Sequence, residues 1–288
     1  MKKTALLILL SVCLLACEKT VPQPDLIVVE GWIEEGAHPV VFLHKAVRLN
    51  EKDVKLEDMM RESIVYSARV HVADGTDSVQ LIAKIDTTML PPYYYHNVRI
   101  KGKAGGTYRL TVDYQGQTLT ATTTILPAVP IDSIVITSAE GQPDAKEVIV
   151  HFRDDPATTD CYALFYRQGG QKQYALASMG VMDDGSRQGE HIAWRLNRSN
   201  TLLDSADVFH FAAGDTVRVK LSHIDDEAYA VWSSFASSSV SNTWIFMPKA
   251  QIKTNIQGGA GYWCGFGSDI REIIIPARDT VFVYADSL

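Results

Sequence analysis

Hydrophobic positions recur every second residue through most of the chain. Ala68, Val70 and Val72 alternate with polar neighbours up to an Asp74-Gly75 turn, and Tyr108, Leu110 and Val112 alternate with Arg109 and Thr111. A period of two places successive side chains on opposite faces of a strand, and Asp-Gly closes a tight hairpin. Ile27–Ile33 and Val40–Leu43 open the series, and Leu119–Ile125 returns after Gln115-Gly116. The pattern resumes at Ile134/Ile136, Val148/Val150/Phe152, Tyr162/Leu164/Tyr166 and Val217/Val219/Leu221, the last with Arg218 and Lys220 facing outward. Glu272–Ile275 and Val281–Tyr284 read as a closing strand pair. One stretch breaks the period: Asp225 or Asp226 caps a short helix near 226–237, with Tyr229 and Trp232 one turn apart beside Ala228, Val231 and Phe235.

Leu126-Pro127-Ala128-Val129-Pro130 divides these strands into two groups, because two prolines cannot sit in a central strand and they stiffen a linker. The expected fold is therefore mainly β: two β-sandwich domains in tandem, immunoglobulin-like or transthyretin-like, over 26–126 and 127–288, the second with the helix. The charged run Glu51–Glu62 reads as an excursion between strands of the first domain.

The first residues follow another logic. Lys2 and Lys3 precede a short apolar run that ends in Leu14-Leu15-Ala16-Cys17, the parts of a secretory signal too short to span a bilayer. Leu14, Ala16 and Cys17 resemble the lipobox of bacterial lipoproteins, which implies a signal at 1–16, lipid on the Cys17 sulfur, and a Pro22/Pro24 tether over 17–25. Two acyl chains suffice for stable anchoring. Loss of Lys2 and Lys3 leaves 25 basic against 34 acidic side chains, a net charge of −9, which repels phosphate backbones and argues against nucleic acid as a partner. With Cys13 in the signal and Cys17 on lipid, Cys161 and Cys264 remain. An oxidising compartment would let them form a disulfide; a buried free thiol is the commoner state of isolated strand cysteines.

Three pieces together carry a wider resemblance: Val28-Val29-Glu30-Gly31-Trp32-Ile33, Gly106-Thr107-Tyr108-Arg109-Leu110 and Thr254-Asn255-Ile256-Gln257-Gly258-Gly259-Ala260-Gly261. They resemble domain-of-unknown-function family 4249, lipoproteins of the Bacteroidota. The resemblance implies an outer-membrane, lipid-anchored protein that accompanies TonB-dependent transporters, and it brings no catalytic residues. The charged run at 51–62 and the cysteine at 264 depart from the family's pattern. Some lipoproteins of that phylum carry an acid-rich cell-surface signal after the lipid; Glu18-Lys19 is a degenerate version.

Catalytic motifs do not emerge. The eight histidines lack close metal spacing, there is no Gly-x-Ser-x-Gly elbow, and Gly258–Gly267 fits neither a dinucleotide fingerprint nor a phosphate loop. No cofactor and no metal are expected. Asp154-Asp155, Asp183-Asp184 and Asp225-Asp226-Glu227 read as turns and caps. Aromatic residues stand out instead. Tyr93, Tyr94 and Tyr95 follow Pro91-Pro92 in an expected loop, and Trp232, Trp244, Phe246, Tyr262, Trp263 and Phe266 crowd the C-terminal part, where core packing is the simpler reading. Candidate ligand or partner contacts are Tyr93, Tyr94, Tyr95, Asn255, Gly258, Gly259, Gly261 and Trp263. The expected function is non-catalytic binding in a TonB-dependent uptake system. The rivals are a lipid-anchored hydrolase of glycan or peptide with an unrecognised carboxylate pair, and a structural adhesin.

Overall fold

The computed structural model describes residues 25–46, 62–89, 91–185, 187–198, 209–241 and 252–284. The signal, Cys17, the tether up to residue 24, most of the charged run at 51–62, Trp244 and Phe246 lie outside the described residues. The first half carries β1 (Ile27–Glu34), β2 (Val40–Lys45), β3 (Arg69–Ala73), β4 (Ser78–Ile85), β5 (Tyr93–His96), β6 (Thr107–Tyr114) and β7 (Gln117–Thr124). The second carries β8 (Ile131–Ala139), β9 (Gln142–Arg153), β10 (Cys161–Gln168), β11 (Ala175–Asp183), β12 (His191–Leu196), β13 (Phe211–Ala212) and β14 (Thr216–Ile224). Helix α1 (Asp226–Ser241), β15 (Ala260–Ile274) and β16 (Thr280–Val283) follow. The fold is mainly β, two β-sandwich halves in tandem.

Each half has its own core. Ile27, Val29, Val41, Val70, Leu110 and Leu119 bury into the first, and Ile134, Val150, Phe152, Leu164, Val219 and Ile273 into the second. These are the residues of period two, so alternation placed them correctly. A third cluster lies on the outer face of β10, β14 and β15, where Cys161, Phe165, Ile224, Cys264 and Phe266 pack beneath Ala228 of α1. A sheet covered on both faces loses its polar alternation, which explains why Lys220, Ser222 and His223 are buried in β14.

β15 joins the halves. Its first part pairs in parallel with β1, from Val28↔Ala260 to Glu34↔Phe266, and its second part pairs antiparallel with β14, from His223↔Gly267 to Thr216↔Ile274. The pairing puts β1 and β14 in one sheet, ordered β11-β10-β14-β15-β1-β2-β5-β4-β3-β6-β7. Two glycines make the approach of β1 and β15 feasible. A Cβ on Gly261, whose φ is +101°, would lie 1.9 Å from the Val29 carbonyl oxygen; one on Gly31 would meet the Trp263 ring at 2.9 Å. The fully buried Trp263 indole fills the space Gly31 leaves and donates its N–H to the Tyr108 carbonyl at 3.0 Å.

Candidate functional site

Several expected contact residues turn out to be structural. Tyr93, Tyr94 and Tyr95 lie in β5, paired with β4 and β2, and the expected loop is corrected to a strand. The two prolines only precede the strand, so its ladder never needs their missing N–H groups. Tyr94 and Tyr95 are buried on opposite faces. Tyr95 donates its hydroxyl to the Val65 carbonyl and accepts from the Ala68 N–H, each at 3.0 Å, and burial pushes that hydroxyl far above its usual range. Tyr93 stacks edge-on against Tyr66. Trp263 is core and unavailable to a ligand. Asn255 clamps its backbone, accepting from the Trp263 N–H at 3.0 Å and donating to the Trp263 carbonyl at 2.8 Å. Gly258 and Gly259 pack closely on Thr118 and Leu119 of β7. Asn255 also borders an open groove of about 600 Å³ with Arg109, Thr120 and Glu227.

Cys161 and Cys264 are both buried free thiols of the third cluster, the commoner of the two states open to them, and not a disulfide. Burial, reinforced by Asp226, pushes the Cys161 thiol up to about 12, and burial raises Cys264 further. Neither serves as a nucleophile at neutral pH.

Sequence reasoning missed two groupings. Asp154, Asp160 and Asp184 are buried with carboxylate oxygens within 4.8 Å of one another. Asp154 accepts from Tyr162 Oη at 2.6 Å and from the Gly189 N–H at 2.7 Å. Asp184 accepts from the Asp160 N–H at 2.8 Å, and Asp160 faces His223 Nε2 at 3.1 Å. His223 Nδ1 lies 2.8 Å from the Pro127 carbonyl oxygen and donates to it, which ties the linker to this network.

The second grouping is a pocket of about 390 Å³ at the joint between the halves. β1 builds one wall: while Ile27, Val29 and Ile33 face the first core, Glu30, Trp32 and Glu34 face the pocket. The parallel register continues that face through Tyr262 opposite Glu30 and Phe266 opposite Glu34. Phe42 comes from β2, Phe165 from β10, Lys220 from β14 and Trp232 from α1, with Met89 and Lys172–Tyr174 at the margins. Phe42 in turn packs on Tyr94, ring centroids 5.6 Å apart, so one of the three expected tyrosines supports the pocket from behind.

Lys220 dominates the floor. It is 4% exposed, its ammonium is paired with Glu34 across the joint, and it lies 4.5 Å from the Phe266 ring centroid and 5.2 Å from those of Phe165 and Tyr174. Burial pushes the ammonium down to about 7. The Glu34 carboxylate and the three ring faces resist that loss of charge. Burial also raises the Tyr262 hydroxyl well above its usual range, with the Glu30 carboxylate adding to the effect. Glu30 lies 3.6 Å from His44. The pocket thus combines wide ring surfaces with few polar groups, the make-up of a small-molecule binding site.

The model of the DUF4249 family, a domain of unknown function, matches residues 17–269, which include every residue that lines this pocket. No curated protein sequence matches the chain.

Proposed function

The chain belongs to the DUF4249 family, a domain of unknown function, and on that premise we propose that it is a non-catalytic binding component of a TonB-dependent uptake system, anchored to the outer membrane through lipid on Cys17. The observation that carries this reading is the ring-lined pocket to which both halves contribute walls. A ligand there contacts β1 and β2 of one half and β10, β14 and α1 of the other, so its binding bears on the joint itself. The signal-like start and the lipobox-like Leu14-Leu15-Ala16-Cys17 support the anchoring.

Binding is favoured over hydrolysis by the two carboxylates of the pocket. Glu30 and Glu34 are four residues apart on a strand, about 13 Å between Cα atoms at the usual rise, so their side chains must lean toward each other to bring the carboxyl groups to the separation of glycosidase pairs, about 5–9.5 Å. Glu34 is moreover committed to Lys220.

Affinity purification from detergent-solubilised outer membranes tests the proposal. A TonB-dependent transporter should co-purify, and Cys17→Ser should release the chain from the membrane fraction. Recovery of the chain without any transporter removes the uptake role; membrane retention of Cys17→Ser removes the anchor.

A further inference from the structure

The balance of groups around the pocket says what kind of ligand it suits. Its charged side chains are Glu30, Glu34, Lys172 and Lys220, two of each sign. Lys220 and Glu34 neutralise each other beneath the rings of Phe165, Tyr174 and Phe266, so neither offers a free charge to a ligand. The other polar residues of the lining are Lys172 and Gln173, Glu30, whose carboxylate is half-exposed at 44%, and Tyr174 and Tyr262, whose hydroxyls make no hydrogen bond to any described residue. Around them stand Trp32, Phe42 and Trp232.

Resting on the reading of this cavity as a ligand site, we propose that it takes a neutral saccharide, with a sugar ring against the aromatic wall around Trp32 and sugar hydroxyls hydrogen-bonded to Glu30, Tyr174 and Tyr262. An anion meets the Glu30 carboxylate, and a cation meets Lys172. An acyl chain dehydrates the carboxylate and both tyrosine hydroxyls and offers them no hydrogen bond in return, which is costly in a buried site. A sugar ring has what remains: C–H faces that pack on aromatic rings, and a rim of hydroxyls that both donate and accept. The volume is near the lower end of the range of about 300–1,000 Å³ for small-ligand pockets, so a ring or two of a longer glycan enters while the rest stays in solvent.

The experiment is a titration of the purified full chain in detergent, read by tryptophan fluorescence and calorimetry. The probes are maltoheptaose, cellohexaose, xylohexaose, mannohexaose and N-acetylchitohexaose, with glycyl-phenylalanine and palmitate as the alternatives. At least one oligosaccharide should saturate, Trp32→Ala should weaken it about tenfold or more, and Tyr262→Phe, which keeps the ring and the fold, should weaken it about threefold or more. Saturation by glycyl-phenylalanine or palmitate with none by the oligosaccharides overturns the saccharide and leaves the ligand pocket standing. Silence from all seven probes overturns both. Saccharide binding that Trp32→Ala and Tyr262→Phe leave untouched places the sugar elsewhere and overturns the assignment to this cavity.

Discussion

Thr123 donates its hydroxyl to the Asp225 carboxylate at 2.8 Å, across the joint between the two halves. The same Thr123 oxygen accepts from the Gly265 N–H of β15 at 2.7 Å, and the same carboxylate accepts from the Thr124 N–H at 3.0 Å. The other Asp225 oxygen accepts from the Ala228 N–H at 2.8 Å and so caps α1. One carboxylate therefore fixes the start of the helix, the end of β7 and the middle of β15 relative to one another.

Asp225→Ala should cost about 2–4 kcal/mol, combining a lost helix cap of about 1 kcal/mol with the loss of hydrogen bonds to a charged group, about 1.5–3 kcal/mol. Denaturant unfolding measures it. A double-mutant cycle with Thr123→Val should show coupling of about 1 kcal/mol or more; additive losses would mean the two side chains act independently.

Tyr95→Phe should lower stability by about 1–3 kcal/mol, because it strands the Val65 carbonyl and the Ala68 N–H. At this chain length that corresponds to a drop in Tm of about 2–12 °C. Ligand titration in the central pocket should stay as in the wild type, since Tyr95 points to the opposite face of β5 from Tyr94. A variant that melts like the wild type would show that the hydroxyl's partners find water instead.

Lys220 should make stability depend on pH. The unfolded chain keeps this proton up to about 10.5, while burial lets the folded chain release it from about 7. Between those values the unfolded state binds more protons, so this contribution to stability rises with pH and is lost as pH falls toward 7. The stability difference between wild type and Lys220→Met, followed by urea unfolding from pH 7 to 10, should therefore shift in favour of the wild type as pH rises. A flat difference would mean that Glu34 and the rings hold the ammonium charged throughout.

Cys161 and Cys264 should resist a maleimide reagent at neutral pH until the chain is denatured, and mobility on a non-reducing gel should not change on reduction. Labelling of the native protein would place one thiol at the surface.

What was legible in the sequence was local. Thr107–Tyr114 and Thr216–Ile224 were readable because one side of the first is apolar throughout and one side of the second carries Val217, Val219 and Leu221 in succession. The strand-free stretch at 126–130 was readable from its prolines. Pro91-Pro92 reads as a loop signal that hides Tyr93–His96, whereas the strand begins just beyond the prolines. Only the end of Ala260–Ile274 reads as a strand, from Glu272, since its glycines look like loop residues until the close approach of Val29 is known. The pocket was invisible for a related reason. Glu34 and Lys220 are far apart in sequence and meet only because β1 and β14 flank the same strand.

The parallel contact between β1 and β15 also sets an order of events during biogenesis. β1 leads the described chain and its parallel partner comes almost last, so until β15 is synthesised β1 has an unpaired edge and the first core lacks Trp263. The first half therefore cannot close while the chain is still being made. It waits for the final strand, a long-range pairing of the kind that slows folding and leaves edges open to aggregation. A chaperone that shields β1 during this interval would act on the chain before the first half has folded.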